Sequence, residues 1–479
     1  MEKVVNKLKL SDIKNHWHEA ILAILTISYF SYFTAASFLR YDNYLTGRFD
    51  LGNMAQTVWN TIHGNIFILN DPNGTREISR LAFHADFILI LLSPFYLIWE
   101  DPRMLLLIQT TVLATGGIFV YLLSKEILKN KSLSLVFAFC YFLNPAVNYT
   151  NLFDFHPVTL ATTFLLAAIY FIQKKNYTLV IIFLILAGLC KEQVWLINAL
   201  VGIYLIFAEK QRIIGTSIFA ISSFIFYILI WIAIPKALGS EHFAISYYSD
   251  FGGSPNHIIK NIILSPAKTF QTIFLPDRVA YLKQLFLPLG YLSFLAPFYL
   301  IFASPDLVIN LLSSTSVLHQ IYYQYSSTVT PFIFLSAIFA ISKIKRRIPE
   351  LSYGAIGLII FIMTLVSAYD FGPLPYAKKA NLEMFKNPLQ IRSTIDRYIS
   401  SLPQMQSIAS TNNLGSHLSH RKKVYVIPQG INKADTIMFL IANSTNENEK
   451  KALKKLQTDP NYKAVLNEQN FYVFKKATP

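Results

Sequence analysis

Phe83-His84-Ala85-Asp86-Phe87-Ile88-Leu89-Ile90-Leu91-Leu92-Ser93-Pro94-Phe95-Tyr96-Leu97-Ile98-Trp99 is an apolar run whose placement orients everything after it. If it crosses a membrane, every later segment takes one orientation; if it returns to its starting side, every later segment takes the other. A spanning helix needs about 20 consecutive apolar residues. This run is shorter, opens on the polar His84 and Asp86, and carries Pro94 inside it. Proline removes a backbone donor and breaks a helix interior.

The surrounding chain provides the test. Apolar candidate spans recur at 20–39, 104–123, 133–149, 157–172, 177–190, 193–208, 213–234, 286–303, 306–318, 328–342 and 351–369, about eleven in all. Lys3, Lys7, Lys9 and Lys14 place the N-terminus on the cytoplasmic side, since Lys and Arg accumulate in cytoplasmic loops. If 83–99 crosses, four basic clusters fall outside: Lys125 with Lys129 and Lys131; Lys174 with Lys175; Lys210 with Arg212; and Lys343, Lys345, Arg346 and Arg347. If 83–99 is re-entrant or interfacial, all four become cytoplasmic, so the spacing predicts that it does not cross. The regions 40–103, 150–156, 191–192, 235–285 and 319–327 then lie outside, as does the C-terminal region. The pair 286–318 has a second reading, a deep hairpin, that leaves this parity unchanged.

Composition agrees with a bilayer. Of 479 residues, 53% are hydrophobic, 15% aromatic and only 14% charged, against roughly 25% charged in soluble domains. The net charge of +15 is explained by the loop bias, so no nucleic-acid partner is expected. Cys140 and Cys190 sit in apolar runs without metal-ligand spacing and read as core residues. The first apolar run is too long for a signal-peptide core and reads as a retained helix.

After Asp370 the composition changes. Helical patterns at 389–401 and 447–456 alternate with strand patterns at 406–410, 423–427, 436–442 and 470–475, which predicts a small α/β domain. The division is a transmembrane domain over 1–370, with a first external loop 40–103 holding surface or re-entrant helices, and an extracytoplasmic domain over 371–479. The fold class is an all-α polytopic membrane protein of about eleven transmembrane helices with that small α/β appendage.

Ionisable residues at membrane depth are costly and mark sites. Asp50 follows the first helix and reads either as a general base or substrate clamp, or as an N-cap. His84 with Asp86 sits on the rim of the non-crossing segment. Asp154 and His156 precede Pro157, where Asp154 reads equally as a cap. Lys191-Glu192 reads as a neutralised turn or as a cation for a phosphate. His319, Gln324 and Tyr325 lie in a hydrogen-bonding stretch ahead of Pro331. A Walker loop, a zincin motif, a CxxC pair and a dinucleotide fingerprint are all missing from the sequence. A nucleotide-driven pump is therefore disfavoured.

These residues, in this order, resemble a domain-of-unknown-function family of bacterial and archaeal polytopic membrane proteins grouped with the GT-C glycosyltransferase superfamily. The resemblance rests on Phe49-Asp50-Leu51-Gly52 with Gln56 and Trp59; His84 with Pro94 and Tyr96; Gln109; Asp154-Phe155-His156-Pro157; Lys191-Glu192; Tyr325-Ser326 before Pro331; and Ser416-His417-Leu418-Ser419-His420-Arg421. It implies a GT-C-like architecture and sugar transfer from a polyprenyl-phosphate donor, with Asp50 in the role of the acidic residue that such enzymes use in the first loop. Asp50 is followed by Leu51, where many GT-C enzymes carry a second acidic residue, and Gln324 stands where a His is expected.

The leading expectation is a membrane glycosyltransferase acting on the extracytoplasmic side. Asp50 is the catalytic residue, and His84, Asp86, Asp154, His156, Lys191, Glu192, His319, Gln324 and Tyr325 are substrate-binding. The bilayer and a polyprenyl-phosphate sugar donor are its partners. No cofactor is expected; a divalent metal held by Asp50, Asp86 and Asp154 is left open. The alternative is a transporter or flippase of lipid-linked substrate without catalysis. A third reading has the external domain bind a partner through His417, His420, Arg421, Lys422 and Lys423, a cluster that otherwise reads as a solvated face.

Overall fold

The computed structural model describes residues 10–240, 243–443 and 445–477. Lys3, Lys7 and Lys9 lie outside the described residues, as does the side chain of Lys14. The chain is mostly helical, and among the described residues four helices are long and apolar enough to cross a membrane: His16–Asp42, Arg103–Leu128, Arg212–Leu238 and Tyr353–Phe371. A fifth candidate is a pair, Lys131–Phe142 and Pro145–Leu152, bent by 43°. The bend follows from sequence: Asn144 caps the second helix through its side chain, and Pro145 occupies the first helical turn, where its missing N–H costs nothing.

The expected eleven full-length spans are therefore only partly matched. Pro157–Gln173, Tyr177–Gly188 and Val194–Phe207 are apolar but shorter. The expected span 286–303 is not a regular helix. It breaks into the 3₁₀ turns Leu287–Leu289, Leu292–Leu295 and Pro297–Ala303, because Pro288, Gly290 and Pro297 interrupt the backbone ladder. Ser304–Leu312 follows as a short helix. The opening run 83–99 becomes Ile88–Leu92 and the 3₁₀ turn Ser93–Leu97. At about 1.5 Å per residue, this is about half the thickness of a hydrocarbon core.

Ion pairs gather the basic loop residues at one end of the bundle. Glu19 meets Lys125 at 3.2 Å and Lys131 at 3.3 Å, and Glu126 meets Lys129 at 2.7 Å and Lys174 at 3.3 Å. Lys345 lies over the Tyr353 ring, whose hydroxyl donates to the Leu128 carbonyl. The opposite end carries Asp42, bonded by Arg103 at 3.1 Å and Arg392 at 3.2 Å. Close helix packing in the bundle depends on Gly116 and Gly117: a Cβ on either would fall 2.2 Å from the Tyr141 hydroxyl or the Phe142 ring. Small residues at such crossings let helix backbones approach in a membrane.

Between the first helix and Arg103 the chain forms the helix Asn53–Ile62 and a hairpin of β1 (Ile68–Asn70) and β2 (Glu77–Ser79). The C-terminal region holds β3 (Ile408–Ser410), β4 (Val424–Val426), β5 (Thr436–Leu440), β6 (Tyr462–Glu468) and β7 (Phe471–Lys476), in the order β4-β3-β5-β7-β6. β3 runs parallel to both neighbours, and β7 is antiparallel to both of its own. β6 was not foreseen; its exposed, polar run Tyr462-Lys463-Ala464-Val465-Leu466-Asn467-Glu468 carries little apolar alternation.

The cluster His417, His420, Arg421 is neither a solvated face nor a partner surface. His417 is sandwiched between Tyr41 and Tyr44, with centroids 3.9 and 3.8 Å away, and its Nε2 bonds the Tyr41 carbonyl at 2.9 Å. Arg421 donates to the carbonyls of Ile399, Leu402 and Pro403. Only Lys422 and Lys423 are exposed. Stacking partners from the first loop, invisible in a local sequence window, bury the histidines.

Candidate functional site

Asp50 lies in a π-helical turn, Arg48–Gly52, that leads into the helix Asn53–Ile62. The capping reading fails, because neither helix start is capped by a side chain. Instead Asp50 Oδ1 lies 3.1 Å from His156 Nε2, the two residues being 106 positions apart. His156 is itself held: its backbone N–H donates to Gln109 Oε1 at 3.0 Å, and its ring stacks on Phe153. Gln109 Oε1 also accepts from Thr159 at 2.8 Å.

Asp154 does not cap the Pro157 helix either. Its Oδ2 accepts the Gly47 N–H at 2.7 Å, and Oδ1 lies 3.9 Å from Arg40. Burial, and then the neighbouring Asp50 charge, push the Asp154 carboxyl well above the usual carboxylate range. Asp50, one third exposed at its side chain, is the better solvated of the two carboxylates. Asp154 thus holds the backbone ahead of the turn that presents Asp50, and Asp50 offers the more exposed carboxyl.

The backbone around Asp50 is also gripped from the C-terminal region. Phe49 N–H donates to Asn412 Oδ1 at 3.2 Å, and the Thr46 and Ser416 hydroxyls are 2.7 Å apart. Arg48 is buried and its guanidinium bonds Asn53, Gln56 at 2.7 Å and the Asn70 carbonyl at 3.3 Å. Gln56 and Asn70 in turn reach the Arg421 carbonyl and the Val424 N–H. Nothing in the local pattern of 411–424 signals this contact.

A second group of residues lines a cavity of about 800 Å³ whose walls are largely apolar, among them Leu196, Phe226, Trp231, Ile258 and Leu312. His84, Lys191, Glu192, Gln324 and Tyr325 all contribute to it. Lys191 and Glu192 have different partners and do not form a neutralised turn. Glu192 accepts from Ala85 N–H at 3.0 Å and pairs with His84 Nδ1 at 2.9 Å, whereas the Lys191 ammonium lies 5.7 Å from the Tyr325 ring centre. Burial lowers the His84 imidazole, favouring its neutral form. Burial raises the Tyr325 phenol, as do Tyr247 and then Asp50, so it remains a hydroxyl. Tyr325 lines the cavity and lies within electrostatic reach of the Asp50 carboxyl, which does not line the cavity itself.

Two named residues lie apart. Asp86 is buried and taken up by Arg80, whose Nε and Nη2 reach it at 3.1 and 2.7 Å. His319 pairs with Asp277 at 2.9 Å, away from the cavity lining. Among the described residues, no group of three or more His, Cys, Asp or Glu side chains could hold a metal ion, so Asp50, Asp86 and Asp154 do not form one. A lining residue that sequence reasoning missed is Asp306, buried, accepting from Thr328 at 2.7 Å and Gln193 at 3.2 Å. Following Ser304-Pro305, it reads in sequence as an ordinary first-turn acid.

In fold the chain is similar to ArnT from Cupriavidus metallidurans, solved bound to undecaprenyl phosphate, with a TM-score of 0.51, 9% identity, and 96% of this chain and 97% of that one covered. It also matches the oligosaccharyltransferase AglB from Archaeoglobus fulgidus, in complex with an inhibitory peptide and a dolichol-phosphate, with a TM-score of 0.41, 13% identity, and 89% of this chain and 70% of that one covered. In the apo form of the Archaeoglobus fulgidus enzyme the values are 0.43, 14%, 87% and 65%, so the chain spans about two thirds of that protein's length. No curated protein matches the sequence. Residues 40–473 match the family described as predicted membrane protein (DUF2079), and the chain belongs to that family.

Proposed function

We propose that the protein is a membrane glycosyltransferase that moves a sugar from a polyprenyl-phosphate donor to an acceptor on the extracytoplasmic side. The observation that carries this reading is Tyr325, which lines an apolar cavity of about 800 Å³ with Lys191 in its wall and lies within electrostatic reach of Asp50, the partner of His156. A prenyl chain suits the apolar walls, and Lys191 offers a full charge for the phosphate.

In this mechanism Asp50 takes the proton of an acceptor hydroxyl, whose oxygen attacks the anomeric carbon. The bond from that carbon to the phosphate oxygen breaks, and the polyprenyl phosphate leaves with the electron pair, its charge opposed by Lys191. His156 orients the Asp50 carboxylate, and Gln109 and Phe153 hold His156. General-base help of this kind supplies about 10²–10⁴-fold in rate. His84, Glu192, Gln324 and Tyr325 border the sugar; the arrangement supports no direct contact from Asp86 or His319. The chain sits in the cell membrane with its N-terminus cytoplasmic and 371–479 external, which places Asp50 outside.

Turnover of a panel of polyprenyl-phosphate sugars by the purified protein tests this reading. Wild type forms product and Asp50→Asn loses it by at least a hundredfold. Equal product from both overturns the assignment of the base. Uptake or flipping of the lipid by both, with no glycosylated product, favours the carrier reading.

A further inference from the structure

Once the donor site is placed in the cavity, the charges along its wall limit the headgroup it can take. Among the described lining residues Lys191 is the one Lys or Arg, and His84 is the one His. His84 is engaged by Glu192. Against this single ammonium stand two carboxylates, Glu192 and Asp306, both lining the cavity and both buried. Lys191 and Glu192 are each within electrostatic reach of Asp306.

Hydrogen bonds hold the Asp306 carboxyl group at both of its oxygens. Oδ1 accepts from the Gln193 amide and Oδ2 from the Thr328 hydroxyl. Its two anchors come from two other segments of the chain and hold it in the wall. Glu192 is pinned in the same way, by His84 and the Ala85 N–H.

We infer that this cavity selects a monophosphate headgroup over a diphosphate one, with Asp306 as the residue that sets the preference. The inference rests on the donor-site reading above. A monophosphate places its charge against Lys191. A diphosphate carries at least one more negative charge, for which the described lining residues offer no second ammonium and two fixed carboxylates. In a pocket of low effective dielectric a like charge is felt strongly and is poorly screened by salt.

The experiment uses the full chain in lipid nanodiscs with two probes, undecaprenyl phosphate and undecaprenyl diphosphate, with and without Mg²⁺. The monophosphate is expected to bind at least tenfold tighter. Asp306→Asn keeps the hydrogen-bonding shape and removes the charge. It should tighten diphosphate binding at least fivefold while changing monophosphate binding less. Lys191→Gln should weaken both lipids. Equal or tighter diphosphate binding by wild type, in either metal condition, overturns the inference while leaving the donor site standing. So does an Asp306→Asn effect that is the same on both lipids. If neither lipid binds wild type, the donor-site reading itself fails and the inference with it. Should Asp306→Asn not fold, the wild-type preference and Glu192→Gln, which removes the other carboxylate charge, carry the test.

Discussion

Gly415, in the C-terminal region, packs against Arg48 beside the turn that carries Asp50, and Gly415→Ala probes that contact with a single methyl group. Its backbone, at φ −66° and ψ −29°, is one alanine adopts freely, so the substitution adds contact and no backbone strain. The new Cβ would lie 2.2 Å from Arg48 Cβ and 2.9 Å from Cγ and Cδ. Ordinary carbon contacts lie at about 3.5–4.0 Å, so the two segments must part by more than about 1 Å. Arg48 cannot yield by a rotamer change, because the clash begins at Cβ and its guanidinium is anchored on Asn53, Gln56 and Asn70. Overpacking of this kind costs about 1–3 kcal/mol. Taken at about 2 kcal/mol, it raises amide exchange roughly 30-fold wherever exchange requires the seam to open. Hydrogen-exchange mass spectrometry on the full chain should show this over 46–53 and 411–418, with the bundle helices unchanged. A displacement of this size can also cost about a hundredfold in turnover. Exchange within twofold of wild type in both segments would refute the view that this seam holds the Asp50 turn in place.

Two further outcomes follow from buried charge and from titration. Asp86→Asn leaves the Arg80 guanidinium buried without its counter-charge and should destabilise the protein by about 3–5 kcal/mol, whereas Arg80→Met with Asp86→Leu should recover most of it; thermal unfolding in detergent reads both, and an unperturbed single variant would contradict the pairing. Burial lowers His417 and His420 to about 4 from an ordinary value of 6.5, so the separated domain binds more protons than the docked one between those values. Docking is therefore fully stabilised above about pH 6.5 and weakens as pH falls towards 4. Trp59, whose ring faces His420, offers a fluorescence readout. His417→Phe, which retains the stack on Tyr41 and Tyr44, should flatten part of that pH dependence.

Much of the bundle was readable because hydrophobic length and basic loops are local signals. The runs at 104–123 and 351–369 became the helices Arg103–Leu128 and Tyr353–Phe371 with little change. Pro94 correctly marked 83–99 as a broken, short element. The expected 286–303 span failed because apolar content was counted there without weighing Pro288, Gly290 and Pro297 together. At Asp50 the residue type and its place after the first helix pointed to a site, yet the cap and the base were indistinguishable until His156 was seen beside it.

The sequence by itself determined that this chain lives in a bilayer, where it changes into an α/β region, and which polar residues stand in apolar surroundings, since each of these is written in runs of a few to twenty residues. Only the tertiary structure decided how those residues are partnered. It joined Asp50 to His156, committed Asp86 to Arg80, turned His417 and Arg421 inward, and brought Asp306 into the wall beside Lys191. The physical reason is that charge and hydrogen bonding act over a few ångströms of space, and the chain reaches those neighbours only after folding across tens to hundreds of residues.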